Sequence, residues 1–232
     1  LPPACRLSGM NQLARRPLPH MTADDFLAWP GDGTGRTFQL VDGEVRPVSP
    51  ASPTHALIQG NLVFLLKLAV RAANLPLFVM PEGAIVPGLN PGTNVRVPDV
   101  VVTAAPDERG RRTVPDPVLV VEVLSPGNQD DTRDNVRAYA TLPSVQEIVV
   151  LHSTRVLAEV HRRGPGGAWA ADPDYVGPGE RLSLAGVGLD RAVRSGQGVD
   201  VHQALRPHDV ELHQVEHGGA AGEELRRGAH GG

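Results

Sequence analysis

Two acidic residues interrupt runs that are otherwise apolar. Asp99 lies in Val95-Arg96-Val97-Pro98-Asp99-Val100-Val101-Val102, and Glu122 lies in Val118-Leu119-Val120-Val121-Glu122-Val123-Leu124-Ser125. A carboxylate inside a hydrophobic strand must reach solvent at an edge, pair with a cationic side chain or bind a metal ion, because burying an unpaired charge is costly. Two carboxylates sharing one face make an oxygen site suited to Mg²⁺ or Mn²⁺. Such an ion lowers the pKa of a bound water and neutralises charge on a phosphate, the two requirements of phosphodiester hydrolysis. The competing expectation is that each carboxylate forms a buried salt bridge with an arginine such as Arg96. A single acid would favour the salt bridge. Two of them in valine-rich runs, followed by Ser125-Pro126-Gly127, favour the site.

Other chemistries fit less well. Cys5 is the single cysteine, so neither an internal disulfide nor a thiolate metal cage is available. Gly31-Asp32-Gly33-Thr34-Gly35 lacks the preceding strand and following helix of a dinucleotide loop, and the chain contains no Gly-Lys-Ser/Thr and no Gly-x-Ser-x-Gly. A formal net charge of −4 argues against a protein that coats nucleic acid. Arg109, Arg111 and Arg112 form a basic patch that reads first as a solvated loop. His152, His161 and the histidines beyond residue 200 have no ligand spacing and read as surface residues. No apolar stretch approaches the roughly 20 residues of a spanning helix. No secretory pattern is apparent at the N-terminus, so the expected location is cytoplasmic.

The elements that must position the two acids follow from periodicity and punctuation. Thr22 is placed to cap a short helix carrying Phe26, Leu27 and Trp29, with Asp24 and Asp25 in its first turn. Phe38–Val41 and Glu44–Val48 alternate around Asp42-Gly43, a two-residue hairpin signal. Ser52 and Pro53 are cap and first residue of a long helix ending near Asn74, with Leu57, Ile58, Leu62, Leu65, Leu66 and Ala69 as its apolar face. Strand material follows at 77–80, 84–86, 97–102 and 118–123, the last two rich enough in valine to be covered on both faces. A polar helix is predicted over 131–142, then a strand over 146–152, a hairpin partner over 155–163 and a last short strand at 175–176. Residues 1–21 read as a flexible tail, 22–196 as the folded domain and 197–232 as a low-complexity, disordered tail. The fold class is α/β: a mixed β-sheet flanked by helices.

Taken together, Phe38-Gln39-Leu40-Val41-Asp42-Gly43-Glu44, Ser49-Pro50, His55, Pro98-Asp99, Glu122-Val123-Leu124-Ser125-Pro126 and Tyr139 resemble the Uma-type restriction endonucleases of the PD-(D/E)xK superfamily. The resemblance implies a restriction-endonuclease-like fold, Asp99 and Glu122 as metal-binding carboxylates, and Glu44 and His55 at motif positions near the site. It also implies DNA as substrate and Mg²⁺ or Mn²⁺ as cofactor, and such nuclease-like folds often pair, so a homodimer is a further expectation. One departure is serious. The superfamily lysine two residues after the glutamate is Leu124 here. The alternative family position on the next helix, four residues before the tyrosine, is Asn135. Asparagine can hold a water or orient a phosphate but carries no positive charge. Lys67, the only lysine, sits twelve residues beyond His55, about a third of a turn around an ideal helix. Arg133 and Arg137 flank Asn135 but point to other faces, and arginine is a poor proton shuttle because it stays protonated. Glu82 is a weaker acidic candidate. Two readings follow: a metal-dependent DNA endonuclease using Asp99, Glu122, Glu44, His55 and Asn135, or a catalytically silent nucleic-acid-binding or assembly module of the same fold.

Overall fold

The computed structural model describes residues 19–106 and 108–193, so the expectations for 1–18 and 197–232 lie outside the described residues. The first helix, α1 (Ala23–Ala28), starts where Thr22 accepts a hydrogen bond from the Asp25 amide. Strands β1 (Phe38–Val41) and β2 (Glu44–Pro47) form an isolated hairpin. Its turn residues Asp42 and Gly43 both have positive φ, 49° and 86°, the combination a tight two-residue turn needs. A Cβ on Gly43 would also stand 2.1 Å from the His20 ring. His20 bridges Glu44 and the Met21 amide donates to the Gly43 carbonyl at 2.9 Å, so this end of the expected tail is bound to the hairpin.

Helix α2 (Pro53–Ala72) is capped by Ser52, whose side chain accepts from the His55 amide. Its buried face is Ile58, Leu62, Leu65, Leu66 and Val70. Leu57, expected on that face, is 49% exposed: it neighbours Ile58 in sequence but lies some 100° round the helix.

The central sheet comprises β3 (Phe78–Pro81), β4 (Val100–Thr103), β5 (Pro117–Leu124), β6 (Glu147–His152), β7 (Ala158–Arg162) and β8 (Asp174–Val176), paired in that order. Strands β5 and β6 run parallel through α3 (Gln129–Ala140), as a parallel pair requires a crossover, and the other pairings are antiparallel. The sheet is therefore mixed. The predicted strand at 84–86 is only a bridge, Ile85 to Arg96, because the chain turns away before a ladder forms.

Alternation in β5 sorts its side chains between two cores. Leu119, Val121 and Val123 join Ile58, Leu62 and Leu66 of α2, while Val120 joins Tyr139 of α3, Val101 and Ile148. Each fully buried valine or leucine here contributes roughly 1.5–3 kcal/mol. Residue 122 shares its parity with 120, so Glu122 stands on the α3 side, against polar groups rather than in the α2 core.

A second hairpin, β9 (Arg181–Leu184) and β10 (Leu189–Ala192), packs Leu182, Leu184 and Leu189 onto the α2 core. Sequence patterning missed it because each strand carries only two apolar side chains among charged and small ones. Among the described residues no helix is long and apolar enough to cross a membrane.

Candidate acidic site

Asp99 sits in the bend just before β4 and Glu122 sits near the end of β5, its neighbour in the sheet. The sheet brings them together. Asp99 Oδ2 accepts from the Val123 amide at 2.6 Å, and Oδ1 meets His55 Nε2 at 2.7 Å. His55 is available because Ser52 starts α2 three residues earlier, turning residue 55 inward, where its side chain is only 10% exposed. Gln59, one turn on, donates to the Asp99 carbonyl at 2.9 Å and pins the same bend.

Glu122 is buried. Its Oε1 accepts from Asn135 Nδ2 at 3.0 Å and from the Tyr139 hydroxyl at 2.7 Å. Asn135 and Tyr139 are four residues apart on α3, so they present side by side to one carboxylate oxygen. Neither bond uses Oε2. Burial first, then the Asp99 charge, push the Glu122 carboxyl up to about 8, and the bonds from Tyr139 and Asn135 only partly oppose this. At neutral pH Glu122 therefore keeps its proton unless a cation takes its place. Burial and the Glu122 charge likewise raise the Tyr139 phenol, which stays a hydrogen-bond donor.

The loop after β5 closes the site. Asn128 does not cap α3 with its side chain. Instead Oδ1 accepts from the Ser125 amide at 2.6 Å and Nδ2 donates to the Val123 carbonyl at 3.1 Å, holding the strand end rigid. Ser125 Oγ lies 3.1 Å from Ser153 Oγ and 3.5 Å from His55 Nδ1.

Other candidates lie elsewhere. The Glu44 carboxylate is 63% exposed and pairs with Arg46 at 2.9 Å on the β1–β2 hairpin, as an alternating strand leaves its outward positions in water. Glu82 and Lys67 are exposed, and Asp131 at the start of α3 points to solvent. Arg96 forms no salt bridge with either acid: its Nη2 donates to Asn94 Oδ1 at 3.1 Å. In the basic loop, Arg111 pairs with Glu108 and Arg112 with the Leu27 carbonyl.

The reading of His152 as a surface residue was wrong. It is buried at the end of β6, 2.6 Å from Glu159 Oε1, and Arg133 of α3 pairs with both Glu159 oxygens. His161 is half-buried, with Nε2 enclosed. Glu159 interrupts Ala158-Glu159-Val160 as Asp99 and Glu122 interrupt their runs, the sequence signal by which this buried acid can be found. Burial alone would raise the Glu159 carboxyl, yet the hydrogen bonds from Arg133 and His152 hold it at about 2.

The donor set at Asp99 and Glu122 suits a hard cation. Among the described residues no group of three or more His, Cys, Asp or Glu side chains converges to cage a metal. Two carboxylates with water completing the shell is the arrangement Mg²⁺ accepts. Asn135 Oδ1 is buried without a hydrogen-bond partner among the described residues, an open acceptor beside Glu122.

Comparison with known proteins agrees with this architecture. The chain is 26% identical over 186 residues to the uncharacterized protein slr1290 of Synechocystis sp., covering 76% of this chain and 91% of that protein. Its fold is similar to the crystal structure of a "putative nuclease belonging to DUF820" from Anabaena variabilis, with TM-score 0.63 and 17% identity, covering 80% of this chain and 99% of that one. The profile of the Uma2 family, described as "Putative restriction endonuclease", matches residues 23–194. The chain belongs to the Uma2 family.

Proposed function

We propose that this chain is a divalent-cation-dependent endonuclease that hydrolyses DNA phosphodiester bonds, with Asp99 and Glu122 as ligands of Mg²⁺ or Mn²⁺. The carrying observation is the buried Glu122 carboxyl, pushed up to about 8 beside Asp99 and oriented by two α3 side chains. Such a group is held ready to exchange its proton for a cation. When bound, the cation activates water and neutralises phosphate charge.

The chain's own residues do the positioning. Asn135 and Tyr139 fix the Glu122 rotamer, and the Val123 amide fixes one Asp99 oxygen. His55 on the other Asp99 oxygen orients the carboxylate, and its imidazole is the group assigned to proton transfer there. Asn135 keeps a buried, unused Oδ1 and orients Glu122 by hydrogen bonding through Nδ2, without charge.

The test is plasmid nicking by purified protein with Mg²⁺ or Mn²⁺, beside Asp99→Ala and Glu122→Ala proteins. Cleavage by wild type that disappears in both variants is the expected result. An Asp99→Ala protein as active as wild type would refute the assignment.

One observation favours a second reading, a catalytically silent DNA-binding or assembly module. Leu124 is apolar and only 7% exposed, and Asn135 carries no charge, so neither position supplies a cation. DNA binding that ignores metal and never leads to cleavage marks this reading, with Asn135→Lys as the variant to assay for gained activity.

A further inference from the structure

Ser125 and Ser153 place two hydroxyls where the sheet otherwise buries apolar side chains. On the α2 side, the parallel strands β5 and β6 pair Val121 with Val149 and Val123 with Leu151, all four in the core that α2 covers. The Ser153 amide donates to the Leu124 carbonyl at 2.8 Å and carries the ladder one step past the strand ends. Side chains alternate along a strand, so Ser125 and Ser153 form the next rung on that same side. Ser153 is buried, Ser125 is half-buried, and their oxygens stand 3.1 Å apart.

The first turn of α2 brings His55 to this rung. Its ring nitrogens face different partners: Nε2 lies 2.7 Å from Asp99 Oδ1, and Nδ1 lies 3.5 Å from Ser125 Oγ. One line of contacts therefore runs from Asp99 through His55 and Ser125 to Ser153, and the imidazole is held at both of its nitrogens. A hydroxyl both donates and accepts, so Ser125 meets Nδ1 whether or not that nitrogen carries a proton, and Ser153 adapts to Ser125 in the same way. The Ser125 backbone has anchors of its own. Its amide donates to Asn128 Oδ1 at 2.6 Å and its carbonyl accepts from the Asn128 amide at 3.1 Å, so the loop does not depend on the hydroxyl.

We propose that Ser125, backed by Ser153, is a positioning residue for His55, holding the imidazole against Asp99 in the orientation that proton transfer needs. The proposal rests on the reading of Asp99 and Glu122 as a cation site with His55 beside it. Ser125 acts through His55: among the described residues no hydrogen bond joins it to Asp99 or Glu122, and the role requires no particular charge on the ring. Hydrogen bonds of a working site are often long before substrate arrives and tighten afterwards, which accommodates the 3.5 Å between Ser125 and His55. A misplacement of about 1 Å costs on the order of a hundredfold in rate. Two hydroxyls that only closed the strand ends would matter to stability and leave the ring unmoved.

The deciding experiment follows the His55 ring nitrogens by NMR in the full chain labelled with ¹⁵N-histidine, with His55→Gln identifying their signals. Wild type, Ser125→Ala and Ser125→Thr are compared, each checked by thermal melting and each assayed for nicking at saturating Mn²⁺. In Ser125→Ala the Nδ1 signal is expected to shift or broaden. Its maximal nicking rate is expected to fall about tenfold or more, with KM for DNA within about twofold of wild type. Ser125→Thr, which keeps the hydroxyl, is expected to recover most of the rate and the wild-type Nδ1 signal. A His55 signal or a maximal rate unchanged in Ser125→Ala overturns the proposal, as does a Ser125→Thr protein no better than Ser125→Ala. If Ser125→Ala does not fold, Ser153→Ala, which removes the hydroxyl behind Ser125, decides by the same criteria. A wild type that does not cut DNA sinks the nuclease reading alone, and the His55 signals still judge Ser125.

Discussion

Replacing Glu122 with glutamine isolates the cost of ionising a carboxyl inside this sheet. Folding raises its pKa from the ordinary 4.5 to about 8. A group raised in the folded state contributes stability that is fully present below its unfolded pKa and is lost as pH climbs through the folded one. Wild type should therefore lose stability between about pH 4.5 and 8, and Glu122→Gln should not. At about 1.36 kcal/mol per pH unit, a rise of this size sets a ceiling of about 5 kcal/mol. Of this ceiling, about 2–3 kcal/mol is expected. For a domain of this size that corresponds to a melting temperature difference of about 5–10 °C between pH 5 and pH 8.5. The glutamine keeps an oxygen for Asn135 and Tyr139, so packing is little disturbed. Thermal melts of both proteins across this range, in chelator, measure the effect. Adding Mg²⁺ at pH 8.5 should then stabilise wild type and leave Glu122→Gln unmoved. Parallel pH profiles for the two proteins would refute the reasoning, because they would mean that Glu122 titrates alike in folded and unfolded chains.

Glu159 behaves with the opposite sign. Held at about 2 by Arg133 and His152 despite its burial, it contributes stability above its ordinary 4.5 that is lost as pH falls towards 2. Glu159→Gln should flatten that acid limb and cost roughly 3–5 kcal/mol at pH 7, since Arg133 and His152 lose their partner, and urea unfolding at pH 3 and pH 7 checks both. Leu66→Ala, at a position 0% exposed beneath the sheet, should cost about 2–5 kcal/mol in the same assay while leaving the pH dependence of wild type intact.

Much of this molecule is written in local patterns. Thr22, Ser52 and Pro53 announce their helices because an N-cap is a bond between a side chain and an amide two or three residues on. Asp42-Gly43 announces its hairpin because few residue pairs accept two positive φ angles in succession. The valine-rich runs announce a sheet covered on both faces, and the acids within them stand out because a carboxylate is costly to bury there. The mixed α/β fold and the family followed from the same strings.

What patterns could not settle is which distant groups share a space. His55 and Asp99 are 44 positions apart, and only the docking of α2 on the sheet sets them 2.7 Å apart. The β9–β10 hairpin can bury Leu182, Leu184 and Leu189 only once α2 supplies the core they join. Glu44 looked like a site residue in a motif and turned outward, because strand alternation in an isolated hairpin overrides the motif's suggestion. His152 looked like a surface residue and is buried, because Arg133 and Glu159 arrive from two other elements to satisfy it. Local propensity is a property of neighbours along the chain. Burial, and with it the rise of the Glu122 carboxyl and the enclosure of Arg96, is a property of neighbours in space.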